Sequence, residues 1–307
     1  MSKVSVIVPN YNHARFLPQR LDSIFNQTFQ DFEVILLDDC STDNSVEILN
    51  EYSKHPNVSY FIVNRKNSGG TFKQWGKGIE LAKGDYVWIA ESDDLAEPDF
   101  LKSVLLVFLN NPGVGITYSQ SKIIDENNVL IDSWNKQTRS FPNNPWQKDF
   151  IMHGKDIIEK YLINQNIIPN ASAVVFRRNN YLKCEGINTQ MKINGDWFLW
   201  VKLLQISDLA FINQDLNNCR FHSQKGSSGN IENFNNIKEF YQVIRLIFSI
   251  VDFSKSRKEE ILQNIFITWK NQERNFNKKA FLKIFIEAVQ IDHRLVQRLF
   301  RFYFKRS

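Results

Sequence analysis

Tyr86-Val87-Trp88-Ile89-Ala90-Glu91-Ser92-Asp93-Asp94 is the stretch that decides how the rest of the chain is read. Five apolar residues without a polar break suit a strand buried on both faces. The run then stops on a glutamate, a serine and two adjacent aspartates. Neighbouring carboxylates repel, and each loses solvation when it is drawn into a fold. A hard dication such as Mg²⁺ or Mn²⁺ removes that conflict, because it takes oxygen ligands and is held by one or two carboxylates. The plainer alternative is a solvated turn ahead of a helix opened by Pro98, with Asp93 or Asp94 as its cap.

Outward from this strand, the first 120 residues alternate between strand and helix patterns. Strands are expected at Val4–Val8, Glu33–Leu37, Val58–Val63, Tyr86–Ala90 and Gly115–Ser119, and helices at Arg15–Gln27, Ser41–Tyr52, Phe72–Ala82 and Pro98–Asn110. Such alternation implies an α/β fold with a mostly parallel sheet covered on both faces, in which ligands bind beyond the C-terminal strand ends. Further on, Ile123-Ile124, a turn at Glu126-Asn127-Asn128 and Val129–Ile131 read as a hairpin. Ala171–Phe176 reads as a strand, Asp196–Gln205 as a helix, and Leu209–Ile212 and Asn217–Phe221 as two short strands. After Asn230 only helices are expected, roughly 235–251, 256–272 and 278–304.

Two more strands end in polar clusters at the same edge. Asp38-Asp39 follows Val34–Leu37, and an aspartate there is placed to accept from the imide N–H of a uracil or thymine, or from a ribose hydroxyl. One of the pair is also expected to cap the segment that starts at Ser41. Pro9-Asn10-Tyr11-Asn12 follows the first strand, with a tyrosine able to lie against a base; the alternative is an Asn-rich turn. The chain has neither G-x-G-x-x-G nor G-x-x-x-x-G-K-[ST], so the phosphate cradles of dinucleotide enzymes and of P-loop NTPases are absent. A nucleotide held through its base and a metal is the reading that remains.

At 43% apolar residues the chain can bury a sizeable core. Its three cysteines, Cys40, Cys184 and Cys219, have no close spacing, which speaks against a disulfide framework or a zinc site and for a reducing, cytoplasmic setting. Met1–Lys3 leads straight into a strand pattern, so no signal peptide is expected, and the longest apolar run, Val104–Leu109, is too short to span a membrane. Charge is uneven: residues 232–307 carry 15 Lys/Arg against 8 Asp/Glu, so the remainder of the chain is slightly acidic. That distribution excludes a nucleic-acid footprint on the main domain. Residues 278–307 alternate bulky apolar and basic residues, and the end, Arg294 to Arg306, has five basic residues and no acid. It suits peripheral contact with the inner face of an anionic membrane; a helix packed on the domain or on a partner is the equal alternative.

In combination, Val6–Asn12 (VIVPNYN), Val34–Ser45 (VILLDDCSTDNS), Gly84–Asp94 (GDYVWIAESDD) and Ile193–Trp197 (INGDW) resemble the family-2 inverting glycosyltransferases of the GT-A fold. The matching motifs run from about residue 3 to 228. The resemblance implies a Rossmann-like GT-A domain over 1–230, its nucleotide-binding half about 1–120 and its acceptor half about 121–230, followed by a basic helical region, 231–307. It implies that Asp39 binds the nucleotide base, with Pro9 and Tyr11 lining the same pocket. Asp93 would sit by the donor ribose and the metal, with Asp94 as the main metal ligand. Asp196 matches the catalytic base; from the residues alone it reads as a helix N-cap. Arg220 and His222, with Ser227-Ser228, resemble a loop over the diphosphate, with His222 also near the metal. Relatives often carry Ala-Arg-Asn in the helix before the metal strand. Here Gly70–Gly78 reads GTFKQWGKG, and Lys73 stands in as the basic donor contact. Trp134, Trp146, Trp197 and Trp200 are candidates to stack on an acceptor sugar, and Trp197, beside the base, is preferred.

The implied activity is Mn²⁺- or Mg²⁺-dependent transfer of a sugar, from a UDP- or dTDP-sugar by preference, to a hydroxyl of a glycan or lipid-linked glycan, in surface-polysaccharide assembly. A non-catalytic carbohydrate-binding protein and a sugar-1-phosphate nucleotidyltransferase are the alternatives; the second would want a Gly-rich basic loop after the first strand, and Pro9–Asn12 lacks one.

Overall fold

The computed structural model describes residues 3–141, 143–222, 230–272 and 278–291. The expected segments Ser227-Ser228 and Arg294–Arg306 lie outside them.

The elements in chain order are β1 (Val4–Asn10), α1 (Leu17–Phe25), β2 (Phe32–Asp38), α2 (Ser45–Tyr52), β3 (Val58–Val63), α3 (Thr71–Leu81), β4 (Tyr86–Ile89), β5 (Leu95–Ala96) and α4 (Phe100–Asn110). They continue with β6 (Val114–Ile124), β7 (Leu130–Ser133), α5 (Asn135–Thr138), β8 (Phe150–Met152), α6 (Gly154–Ile157), β9 (Val174–Arg177), α7 (Arg178–Lys183), α8 (Gly195–Leu204) and β10 (Asp208–Arg220). Three helices follow, α9 (Asn230–Ile250), α10 (Lys255–Gln272) and α11 (Lys278–Ile291). No helix among the described residues is long and apolar enough to cross a membrane.

One sheet organises these elements, in the order β3-β2-β1-β4-β9-β6-β10-β5, with β7 on β6 and β8 on β10. Pairing is parallel across β3, β2, β1 and β4 and again between β6 and β10. β9 runs antiparallel between β4 and β6. The sheet is therefore largely parallel, with an antiparallel strand joining its two halves.

Period-two alternation sorts the strand side chains onto two faces. Val4, Val6 and Val8 pack with Trp88, α1 and α4, while Ile7, Ile35, Leu37 and Ile89 pack with α3 and α8. That second face also takes Tyr241, Val243, Ile244 and Ile247 of α9, so the helices after residue 230 share the core of the sheet. The seat of α3 on β1 is close. A Cβ on Gly78 would lie 2.3 Å from Cγ2 of Ile7, a stiff β-branched residue at the centre of β1. Gly78→Ala should thus lower the unfolding midpoint by several degrees: overpacking costs about 1–3 kcal/mol, more than the ~1 kcal/mol that alanine gains in a helix. A midpoint at or above that of the parent would contradict the packing.

Three local departures from the sequence reading have physical causes. The two short strands expected after residue 208 are one strand, β10, whose register shifts between Ile212 and Asn217 made it read as two. Residues 171–173 form a 3₁₀ turn before β9, because the Asn170 side chain accepts from the N–H of Ala173. The helix expected from Ser41 starts at Ser45, where Asp43 accepts from the Ser45 N–H at 3.0 Å. The hairpin forms as expected, with Ile124 opposite Leu130.

Candidate active site

The C-terminal ends of β1, β2 and β4 meet at one edge, as the parallel pairing requires. Asp38 and Asp39 meet different partners. Asp38 accepts from the N–H and the hydroxyl of Ser41 at 2.8 and 2.7 Å, and from Asn10 Nδ2 at 2.8 Å, so it pins the turn that follows β2. Asp39, 4% exposed, holds the loop before α3: its Oδ1 accepts from Asn64, the Ser68 N–H and Gln74, and its Oδ2 from the Ser68 hydroxyl at 2.7 Å. Oδ2 thus carries one donor among the described residues and keeps a lone pair. Pro9 is buried in β1, while Tyr11 is 47% exposed and offers an open ring face. Lys73 reaches the same loop, its Nζ donating to the Ser68 carbonyl at 2.8 Å.

The carboxylates after β4 also part company. Asp93 Oδ2 lies 3.1 Å from Nε2 of His222. One ligand atom each from His13, Asp93 and His222 lie within 4.8 Å of one another. The Ser92 hydroxyl holds Nδ1 of His13 at 2.7 Å, the kind of outer contact that fixes an imidazole's tautomer. Nδ1 of His222 is buried and has no hydrogen-bond partner among the described residues. A buried orphan nitrogen, a second imidazole and a carboxylate in one cluster fit a dication. The mixed nitrogen–oxygen set suits a transition-series ion such as Mn²⁺ better than Mg²⁺, which prefers an all-oxygen shell. His13 carried no motif; what singles it out is its position just past the end of β1, at the same edge as the aspartates.

Asp94, expected as the main metal ligand, stands outside this cluster. It is 1% exposed, and its oxygens accept from the Arg220 N–H at 2.8 Å and from Asn170 Nδ2 at 2.5 Å. That carboxylate ties β10 and the turn before β9 to the segment after β4, while Asp93 is the carboxylate that stands in the cluster. Arg220 is corrected in the same way. It is fully buried, and its guanidinium donates to the carbonyls of Asp93 and Asp125, to Asn128 Oδ1 and to Gln19 Oε1, while lying 4.8 Å above the Phe16 ring. These donors fasten the β6–β7 turn to the site, so the guanidinium is engaged within the fold. Beneath the carboxylates sits Arg20, fully buried over Trp88. Burial lowers its pKa to about 10, opposed by the charges of Asp94, Asp93 and Glu91, so it stays a cation at neutral pH and offsets their charge.

Asp196 opens α8, with Oδ2 accepting from Asn166 Nδ2 at 3.0 Å. It keeps partial exposure, yet loss of solvation pushes its pKa up to about 6, and the like charge of Glu239 adds to the rise. A carboxylate tuned toward neutrality and still reachable is suited to proton abstraction. Trp197 is corrected: it is 5% exposed and packs against Phe240, which leaves no ring face for a sugar. Trp146 and Trp200 are buried as well. Among the four candidates Trp134 alone is partly exposed. Its main-chain N–H donates to the Ser121 carbonyl, and Ser121 in turn contacts Asn217, which donates to Asn170 beside Asp94.

Residues 5–158 match the family described as Glycosyl transferase family 2. The chain is 26% identical, over 73% of its length and 70% of the relative's, to an uncharacterized glycosyltransferase of Haemophilus influenzae. Among solved structures it resembles S. aureus TarS 1-349 in complex with UDP-GlcNAc, with a TM-score of 0.69 and 18% identity over 94% of this chain and 81% of that one. It also resembles the mannosyltransferase PcManGT from Pyrobaculum calidifontis in complex with GDP-Man and Mn²⁺, with a TM-score of 0.59 and 17% identity over 95% and 76% of the two chains. At these identities the two likenesses show a common fold.

Proposed function

The chain belongs to glycosyl transferase family 2, and on that premise we propose that it moves one sugar from a nucleotide-diphosphate sugar to a hydroxyl of a glycan or lipid-linked glycan, with inversion. The observation that carries the reading is the gathering of His13, Asp93 and His222 at the C-terminal edge of the sheet, the edge at which Tyr11 and Asp39 follow β1 and β2. Tyr11 stacks on the base, and the remaining lone pair of Asp39 Oδ2 accepts a ring N–H such as the imide of uracil or thymine. Pro9 forms the floor of that pocket, and Lys73 stands on the donor side of the same loop. His13, Asp93 and His222 hold the dication, which supplies charge stabilisation to the departing diphosphate when bound. The S. aureus and P. calidifontis structures, with UDP-GlcNAc and with GDP-Man and Mn²⁺, support a nucleotide-sugar and a metal at this edge.

The acceptor rests against Trp134 with its hydroxyl toward Asp196. Asp196 takes the proton, the freed oxygen bonds to the anomeric carbon, and the bond from that carbon to the diphosphate oxygen breaks. One displacement inverts the anomeric centre. The acceptor is a surface-polysaccharide intermediate, and the enzyme works from the cytoplasm, in peripheral contact with the membrane that carries it.

Incubation with UDP- and dTDP-sugars, an acceptor glycan and Mn²⁺, read by release of nucleoside diphosphate, tests the transfer; no release from any donor would overturn it. The base must be ionised to act. Because the Asp196 pKa is raised to about 6, kcat/KM should fall as pH drops through about 6, by about tenfold per unit below it. A rate that stays flat down to pH 5 would remove Asp196 from proton transfer.

A further inference from the structure

The C-terminal helices reach the start of α8 through side chains of α9, chief among them Glu239. Glu239 of α9 is 5% exposed, and its carboxylate accepts three consecutive main-chain N–H groups: Lys192 at 2.7 Å on Oε1, then Ile193 at 2.9 Å and Asn194 at 2.8 Å on Oε2. Three main-chain N–H donors fill both oxygens of this carboxylate, and such charge-assisted bonds are stiff. The three residues lead directly into Gly195 and Asp196. Asn194 stands at the cap position of α8, but its side chain caps nothing there. Its Nδ2 donates instead to the carbonyl and the Oδ1 of Asn236 on α9, at 3.0 and 2.9 Å. The start of α8 is therefore held by a neighbouring helix. On its other side Gly195 presses against α3, where a Cβ would lie 2.6 Å from carbons of the Phe72 ring. Between the clamp and the ring, the main chain carrying Asp196 has one seat.

We propose that Glu239 is a positioning residue for the reaction, acting from α9 through the Lys192–Asn194 main chain to aim the Asp196 carboxylate at the acceptor hydroxyl. The inference rests on Asp196 being the base. The charge pattern around Asp196 agrees with it. Glu239 faces it from α9 as a like charge, Asn166 donates to it, α3 contributes the apolar Phe72, and the Lys192 amine is turned away onto the Gly69 carbonyl. Glu239 thus aims the base, and its like charge adds a small contribution to the rise in proton affinity that burial causes.

The test compares Glu239→Gln, Asn236→Ala and Asp196→Asn with the parent enzyme, in transfer assays across pH. Glu239→Gln keeps the shape, removes the charge and turns one acceptor oxygen into an amide donor that faces a main-chain N–H. Its kcat should fall about tenfold or more, the donor KM should stay within about twofold, and the acid limb should move to lower pH because the like charge is gone. A purely structural glutamate would give a lower melting temperature with kcat per folded molecule and the acid limb both unchanged, and that result overturns the proposal. If Glu239→Gln does not fold, Asn236→Ala decides. It is an exposed position in the same clamp, and a drop in kcat of about twofold or more at constant donor KM supports the proposal, while parental kcat overturns it. Asp196→Asn separates the two levels: an active Asp196→Asn enzyme defeats the base assignment itself, whereas an inactive one beside an unaffected Glu239→Gln defeats the role of Glu239 alone.

Discussion

Asp196→Asn should lower kcat by about 10²–10⁴-fold, the usual contribution of a positioned general base, with the donor KM changed by less than about twofold. The isosteric amide still meets Asn166 and still fills the start of α8, so the fold is kept. Linkage sharpens the expectation. The carboxyl has its pKa raised from 3.8 to about 6 in the fold, so its contribution to stability is full below pH 3.8 and is lost as pH rises through about 6. At pH 7–8 the native protein holds an ionised group in a poorly solvated place, and a neutral amide relieves that. The melting temperature of Asp196→Asn at pH 8 should therefore match or exceed the parent's while transfer is nearly gone. Near-parental turnover would take Asp196 out of the mechanism. Loss of turnover together with a large drop in melting temperature would mark it as a structural cap.

Asp93→Asn is the second large effect, with kcat/KM expected to fall by about 10²–10³-fold, as loss of several kcal/mol of charge stabilisation requires. The amide keeps a hydrogen-bonding contact for His222, and Arg220 still donates to the Asp93 main-chain carbonyl. Stability should thus hold while metal-dependent activity disappears. The adjacent Asp94→Ala should behave differently. It frees the Arg220 N–H and the Asn170 amide inside the fold, costing about 1–3 kcal/mol per stranded group; stability falls first and activity follows it. Equal metal affinities in Asp93→Asn and the parent would overturn the division of labour between the two aspartates.

The architecture of this protein could be read from its strands because buried parallel strands leave strongly apolar runs, and Val4–Val8, broken only at Ser5, Val34–Leu37 and Tyr86–Ile89 do so. The edge at which the site would lie followed from the same pattern. Which of two adjacent aspartates stands in the histidine cluster did not, since Asp93 and Asp94 differ in what approaches them from His222, from β10 and from Asn170, each more than 75 residues away in the chain. Arg220 illustrates the same limit: an arginine beside a histidine looks like a phosphate contact until its donors are seen to end on Asp93, Asp125, Asn128 and Gln19. Trp197 was preferred for its place next to Asp196, but consecutive helix residues face different ways, and this one turns into the core. Glu239 and His13 carried no signal of their own, because a lone glutamate on a helix and a lone histidine after an Asn-rich turn are common on solvated surfaces.

The most direct test is a thermal-shift panel of UDP, dTDP, GDP, CMP and ADP, each with Mn²⁺, with Mg²⁺ and without metal, on the parent and on Asp93→Asn. A ligand at about 100 times its Kd adds roughly 2.7 kcal/mol of stability, which is readily seen. The expected result is a shift with UDP or dTDP that needs metal, is larger with Mn²⁺ than with Mg²⁺, and is lost in Asp93→Asn. No shift with any nucleotide under either metal, or an equal shift in Asp93→Asn, would contradict a metal-assisted nucleotide-sugar site at His13, Asp93 and His222.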